Sequence, residues 1–406
     1  MSIPSSAPLQ YLPRLSDAAL ERAMATSPIV LVDGPRAVGK TTSAARLAAS
    51  ALRLPKDFER LTADPEATLR DLARPVLIDE WQLAGIDLLW TLKEIVDADP
   101  TPGQFLLAGS VEPATYGPTF PLTGRATRVV MRPMNRAELE GHGAARSFLE
   151  RTVDGERPQP TAGRRATFSL DTLSTTGFPA ARELSDPVPF LEGYAALIAQ
   201  RAGDEGRDAS RLLTTLRVLA TLEAQAVPAQ RVWDTADINK VTWANYEDLL
   251  ARTHITSPSS AYESNRLARL TTYPKRYLAD TALALALAGI TPTDLKAEPS
   301  LAGRYLESYV MQQLRPQVDA VGGSLLHLRT GAGEHEVDAI VAVGLKIFAF
   351  EVKLGTRPTE RDAKHLSWLR DNRGDAFTAG FVVHTGGDTF SVGDRIWAIP
   401  VSTLIS

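Results

Sequence analysis

The chain has no cysteine among its 406 residues. That excludes disulfides, thiolate metal sites and cysteine nucleophiles, and it is compatible with a reducing, cytoplasmic setting. Long apolar runs are missing too. The longest, Ala282–Ile290, is far short of the roughly 20 residues a membrane helix needs. It reads as a buried core helix, and no membrane partner is expected. Met1–Leu12 lacks a charged stretch followed by an apolar core, so no secretory signal is expected. Neither sign of charge dominates: 44 Lys and Arg face 48 Asp and Glu, for a net charge of −4. No global basic field recruits nucleic acid, and any contact with DNA must come from a local patch.

What is present is an ordinary globular composition, with 44% hydrophobic and 23% charged residues. The length suggests two or three domains. In the first third, Pro28–Asp33, Val76–Ile78, Phe105–Ala108 and Thr127–Met131 read as short buried strands. They alternate with helical patterns at Lys40–Leu52 and Asp87–Val96. That alternation predicts a parallel α/β sheet.

Gly34-Pro35-Arg36-Ala37-Val38-Gly39-Lys40-Thr41, followed by Thr42, fits G-x-x-x-x-G-K-[ST] directly after a strand. Its glycines let the backbone turn so that N–H groups cradle phosphate oxygens. Lys40 is expected at the β- and γ-phosphates of ATP and Thr41 at Mg²⁺. Pro75–Glu80 is an apolar strand ending in two carboxylates. Asp79 suits the Mg²⁺ shell and Glu80 the activation of water; both could instead cap a helix. A nucleotide kinase is the plain alternative for any P-loop, but the Asp-Glu pair favours hydrolysis.

Phe105–Ser110 is a strand with a polar tip. Together, Asp79-Glu80-Trp81-Gln82, Gly109-Ser110 and Gly124-Arg125 make the chain resemble an AAA+-related family of prokaryotic ATPases. The resemblance implies that Ser110 is a sensor-like residue near the γ-phosphate. It makes Arg125 an arginine finger or sensor arginine; as a finger it would act through self-association. The plain alternative for Arg125 is a surface salt bridge.

Residues 151–187 open on a Pro-, Gly-, Arg- and Thr-rich stretch and read as a linker. Residues 188–297 are mostly helical, with Arg211–Ala224, Val227–Ile238 and Thr242–Ala251 as a trio. The resemblance implies a winged helix here, with Thr242–Ala251 as its recognition helix. Arg266, Arg269, Lys275 and Arg276 lie in a stretch without acids, beside Tyr273 and Tyr277. They could contact phosphates or form a solvated or interdomain face. Tyr277-Leu-Ala-Asp280-Thr281 resembles a Phe/Tyr-x-Asp-Thr signature of the same family.

Residues 298–406 read as a helix (Leu301–Leu314), strands at 325–328, 336–343, 347–352 and 381–383, and a later helix at Glu360–Asp371. Glu351 and Lys353 are two apart on one strand and so share a face. Asp338 sits on the preceding strand, and Glu307 on the helix before it. This is similar to the D…E-x-K pattern of restriction-endonuclease-like nucleases. There, carboxylates such as Asp338, Glu351 and Glu307 would hold Mg²⁺, and Lys353 would stabilise attacking water or developing charge. A buried Glu351–Lys353 salt bridge is the alternative. Residues 298–375 hold ten Lys/Arg and eleven Asp/Glu, which gives a nuclease no basic surplus.

The expectation is therefore an α/β chain in three parts. A P-loop NTPase parallel sheet spans 1–150. A linker leads to a helical, winged-helix-like region at 188–297 and a restriction-endonuclease-like α/β domain at 298–406. The expected function is ATP hydrolysis controlling a nucleic-acid-directed activity. Its rivals are a non-cleaving ATP-dependent switch and an ATPase that only contacts proteins.

Overall fold

A computed structural model describes residues 10–109, 120–161, 167–204, 206–262, 273–330 and 334–405. Its first sheet contains β1 (Ile29–Asp33), β2 (Ser50–Arg53), β3 (Val76–Asp79), β4 (Phe105–Ala108) and β5 (Ala126–Val130). All pairings are parallel, in the order β2-β3-β4-β1-β5. Strands β1 and β4 are central and almost wholly buried, as expected of apolar runs covered on both faces. The helix Gly85–Ala98 buries Leu88, Leu89, Leu92, Ile95 and Val96 on one side. Because every strand runs the same way, all carboxyl ends open on one edge, where ligands of such sheets bind.

The helix expected over Lys40–Leu52 stops at Ala45. Ser50–Arg53 instead pairs in parallel with Val76–Asp79 as the edge strand β2. Only Leu52 of that strand is buried, so its sequence carries no strand periodicity.

The middle part runs through helices at Val188–Asp204, Ala209–Thr221, Ala229–Thr235 and Lys240–Arg252. Three short strands accompany them: β6 (Gln225–Ala226), β7 (Ser260–Ala261) and β8 (Lys275–Arg276). β6 pairs antiparallel with β8, and Ser259 bridges Lys275. The helix Thr281–Ala288 is buried from Thr281 to Leu287, which explains its lack of an amphipathic pattern.

The third part is a seven-stranded mixed sheet. It comprises β9 (Ser324–Arg329), β10 (Glu336–Val343), β11 (Lys346–Lys353), β12 (Phe377–His384), β13 (Phe390–Gly393) and β14 (Ile396–Pro400). The order is β13-β14-β12-β11-β10-β9-β7, so its last strand comes from the middle part. The helix Pro299–Ala320 packs with Phe348, Phe350 and Phe381 in one core. Leu366 and Leu369 of the helix Lys364–Arg373 pack with Ile347, Ala349 and Val382 in another.

These parts are not beads on a string. One apolar core runs from Val30 through Leu216 and Tyr246 to Tyr305 and Phe350. Described residues of the segment 151–187 contact the C-terminal part. Thr161 bridges Thr389, the Phe168 amide donates to the Thr385 carbonyl, and the Phe168 ring lies 5.3 Å from that of Tyr309.

Asp280 ties three of these elements together. Its buried carboxylate accepts from Gly177 N–H (2.7 Å), Leu283 N–H (2.9 Å) and the Gln312 amide (3.0 Å). Asp280→Ala should remove the cap of Thr281–Ala288 and orphan these donors, at a cost of about 2–4 kcal/mol. Denaturant unfolding measures this, and a midpoint equal to that of the parent chain would remove Asp280 from the role.

Candidate functional site

The loop after β1 turns on conformations that a side chain resists. Gly34 has φ +136°, and a Cβ there would lie 2.0 Å from the Met131 carbonyl oxygen. Gly39, with φ +99°, starts the helix Lys40–Ala45. Gly34, Pro35, Val38 and Lys40 are buried, whereas Arg36, Ala37 and Thr42 face outward. The Lys40 ammonium folds onto its own loop, donating to the carbonyls of Gly34 (2.8 Å) and Pro35 (2.6 Å). Burial pulls its pKa down to about 8, since a desolvated ammonium is disfavoured. The Thr41 hydroxyl donates to Asp79 Oδ1 at 2.7 Å, so strand β3 brings its last carboxylate to the first turn of the helix. Glu80 follows in the left-handed region at φ 54°, and the Gln82 side-chain amide donates to its carboxylate.

This donor set fits Mg²⁺, which is bound through one or two protein oxygens together with substrate phosphates. Thr41 and Asp79 would supply those oxygens. Ser110 lies outside the described residues. Gly109 before it is described: a Cβ there would meet Gln82 Oε1 at 2.6 Å and Trp81 Nε1 at 2.8 Å. Its missing side chain makes room for the residue that holds Glu80.

Three contacts to this loop were not foreseen from sequence. Arg14 is buried, donates to the Val38 carbonyl (2.7 Å) and pairs with Glu138 (3.2 Å). The Tyr194 hydroxyl reaches the Arg36 carbonyl from the helix Val188–Asp204. His254 Nε2 lies 3.0 Å from Asp33 Oδ2, just before the loop. Burial opposes the Asp33 charge, but hydrogen bonding and charge from His254 hold its pKa below the ordinary value. None of the three has a local motif; each is a long-range contact.

Arg125 lies away from these residues. It pairs with Asp97 through both Nε and a terminal nitrogen. It precedes Ala126, which lies opposite Ile29 at the start of β1, whereas the loop follows the end of β1. The length of the strand, roughly 15 Å, therefore separates Arg125 from the loop of its own chain. A cis sensor role does not fit this placement.

The C-terminal charges do meet. The Asp338 carboxylate accepts from Val352 N–H at 2.9 Å, and the Lys353 ammonium donates to Glu351 Oε1 at 2.7 Å. Glu307 accepts from the Tyr277 hydroxyl at 2.6 Å. Burial, with the nearby Asp338 charge, pushes both Glu307 and Glu351 up to about 8. Sequence reasoning missed the centre of the group. The Lys275 ammonium lies 3.0 Å from Glu307, 3.1 Å from Asp338 and 3.2 Å from Glu336. Burial opposes its charge, yet Asp338 and Glu307 hold its pKa well above the ordinary lysine value.

The metal expected at Glu307, Asp338 and Glu351 does not fit this arrangement, because an ammonium already stands among the carboxylates. With that ammonium in place, no three His, Cys, Asp or Glu side chains among the described residues are placed to hold an ion. The basic stretch also changes meaning. Arg266 and Arg269 lie outside the described residues, while Lys275 and Arg276 are buried. Arg276 donates to the Val227 carbonyl at 2.8 Å and lies over the Trp243 ring. On the helix Lys240–Arg252, the exposed residues include Lys240 but also Glu247 and Asp248, so this face brings no basic surplus.

Residues 26–140 match an AAA domain. Residues 198–294 and 302–404 match two domains of unknown function, DUF8612 and DUF4143. The uncharacterized proteins Mb2031c of Mycobacterium bovis and Rv2008c of Mycobacterium tuberculosis are each 26% identical over 96% of this chain and 83% of their own. Among solved structures, the Walker-type ATPase PABY2304 of Pyrococcus abyssi is similar at 16% identity, over 69% of this chain and 99% of its own, with a TM-score of 0.43. Cdc6p from Pyrobaculum aerophilum is similar at 13% identity, over 71% and 96%, with a TM-score of 0.23. The AAA domain match, on a parallel sheet with this loop at its carboxyl edge, supports ATP binding and hydrolysis by the first part of the chain.

Gly109→Ala should push Gln82 aside and release Glu80. Turnover of ATP should fall about tenfold to a hundredfold, the scale of a misplacement near 1 Å, with nucleotide affinity retained. Steady-state kinetics beside a nucleotide-binding titration separate the two effects. An unchanged kcat would mean that Gln82 does not position Glu80.

Proposed function

We propose that this chain is an ATP-driven switch in which residues 26–140 bind and hydrolyse ATP and the remainder carries the output. The Thr41–Asp79 hydrogen bond, with Glu80 next in the chain, carries the reading. Lys40 would leave its loop carbonyls for the β- and γ-phosphates, while Thr41 and Asp79 would hold Mg²⁺. That ion, when bound, offsets the charge of the phosphate oxygens. Glu80 would orient the attacking water and accept its proton. Ser110 would stand near the γ-phosphate as a sensor-like group. Arg125 would act on the nucleotide of a neighbouring copy, since its place at the far edge of the sheet favours a contact in trans.

The output we favour is nucleic-acid-directed but non-cleaving. The helix–strand–helix–helix order of residues 209–252, followed by the short strands β7 and β8, supports a winged-helix-like DNA-binding part. Asp338, Glu351 and Lys353 are grouped as a nuclease would need, which supports a restriction-endonuclease-like origin. Lys275 among the carboxylates favours a binding module over metal-dependent cleavage.

Lys40→Ala should weaken nucleotide binding, and Glu80→Gln should keep binding while stopping turnover. Parent-rate hydrolysis by Glu80→Gln would end the assignment of Glu80 as the catalytic residue. For Arg125, activity per chain should rise with protein concentration. Mixing Arg125→Ala with Lys40→Ala chains should partly restore hydrolysis. Concentration-independent activity without rescue would leave Arg125 as the surface partner of Asp97.

A further inference from the structure

The seven-stranded sheet contains the pattern that elsewhere holds a divalent ion, yet the cation at its centre belongs to the chain itself. We infer that Lys275 is the resident cation of the Glu307–Asp338–Glu336 cluster and replaces a metal there. The inference rests on the non-cleaving half of the reading above and not on ATP hydrolysis.

Three observations carry it. The ammonium is within 3.0–3.2 Å of three carboxylates from two elements, the helix Pro299–Ala320 and strand β10. Its side chain is only 3% exposed, so water does not replace those partners. Its backbone is fixed as well: Lys275 N–H donates to the Ser259 carbonyl at 3.1 Å, and Ser259 N–H donates back at 2.9 Å. This pairing thus delivers the charge at a set depth. An isolated ion pair on a surface would show neither the burial nor the convergence. The ammonium occupies Glu307 Oε1 and Asp338 Oδ1, oxygens that a divalent ion set between these carboxylates would also use.

An unfilled acceptor stands within the electrostatic reach of Asp338 and Lys275. Glu351 Oε2 is buried with no hydrogen-bond partner, while its Oε1 is taken by Lys353. Removing the ammonium would therefore leave a set of carboxylates with free oxygen valence, the donor type that hard divalent cations prefer.

The test uses the full-length chain without nucleotide, with Mn²⁺ as the probe, read by electron paramagnetic resonance and by thermal unfolding. The parent should bind no Mn²⁺ in a way that Asp338→Asn abolishes. Lys275→Met should gain one Mn²⁺ per chain and a melting temperature that rises with Mn²⁺, as a ligand bound only by the folded state produces. Both gains should vanish in Lys275→Met with Asp338→Asn. Mn²⁺ held near Thr41 and Asp79 would survive Asp338→Asn and is told apart that way. ATP turnover is not read, so failure of the ATPase reading would leave this result untouched.

Parent binding of Mn²⁺ that Asp338→Asn abolishes would overturn the inference. So would a folded Lys275→Met chain that gains none. If Lys275→Met does not fold, Lys275→Arg serves in its place. It keeps the cation, and it should fold and stay without Mn²⁺; Asp338-dependent Mn²⁺ in that variant would equally overturn the proposal.

Discussion

Taking a charge out of water costs several kcal/mol unless partners replace the lost hydration. At Lys275 those partners are Glu307, Asp338 and Glu336, none of which lies in its own part of the chain. The ammonium is on β8, which pairs with β6 of the middle part, and the carboxylates are on the helix Pro299–Ala320 and strand β10 of the C-terminal part. Breaking a buried pair from one side leaves an uncompensated charge, typically a loss of about 3–5 kcal/mol. The docking of the middle part on the mixed sheet is therefore set by charge as well as by the apolar core, and Tyr277, two residues beyond the lysine, reinforces it through Glu307.

A second junction joins the middle part to the phosphate-binding loop. Tyr194 reaches the loop backbone at Arg36, and His254 pairs with Asp33 where β1 ends. His254 stands just after the helix Lys240–Arg252 and just before the segment that pairs with Lys275. One short piece of chain thus touches both ends of the molecule. His254 at Asp33 and Ser259 at Lys275 thus lie five residues apart on one stretch of backbone.

How much the sequence disclosed depends on the range over which each signal acts. The phosphate loop, the Asp79-Glu80 pair and the apolar strands β1, β3 and β4 were legible because their determinants lie within a few residues of each other. The grouping of Asp338, Glu351 and Lys353 was legible because alternation on a strand and a hairpin fix it locally. Strand β2 was not, since only Leu52 is buried, and β14 ends in Pro400, a residue that argues against a strand. Lys275 was read as part of a basic stretch because its partners lie 32 and 63 residues away in sequence. Asp280 was singled out only as part of a signature, and its buried hydrogen bonds gave the reason.

Strand β7 has an implication for how such chains can be rearranged. It comes from the middle part yet completes the edge of the C-terminal sheet, pairing Ser260 and Ala261 with Leu326 and His327. The two regions that match separate domain families, 198–294 and 302–404, therefore share a sheet and a charge cluster across their border. Transplanting the C-terminal region onto a foreign neighbour would bare the edge of β9, a template for strand pairing between molecules. It would also strand three carboxylates without their lysine. The border between the two matches marks where sequence likeness changes; the sheet and the charge cluster run across it.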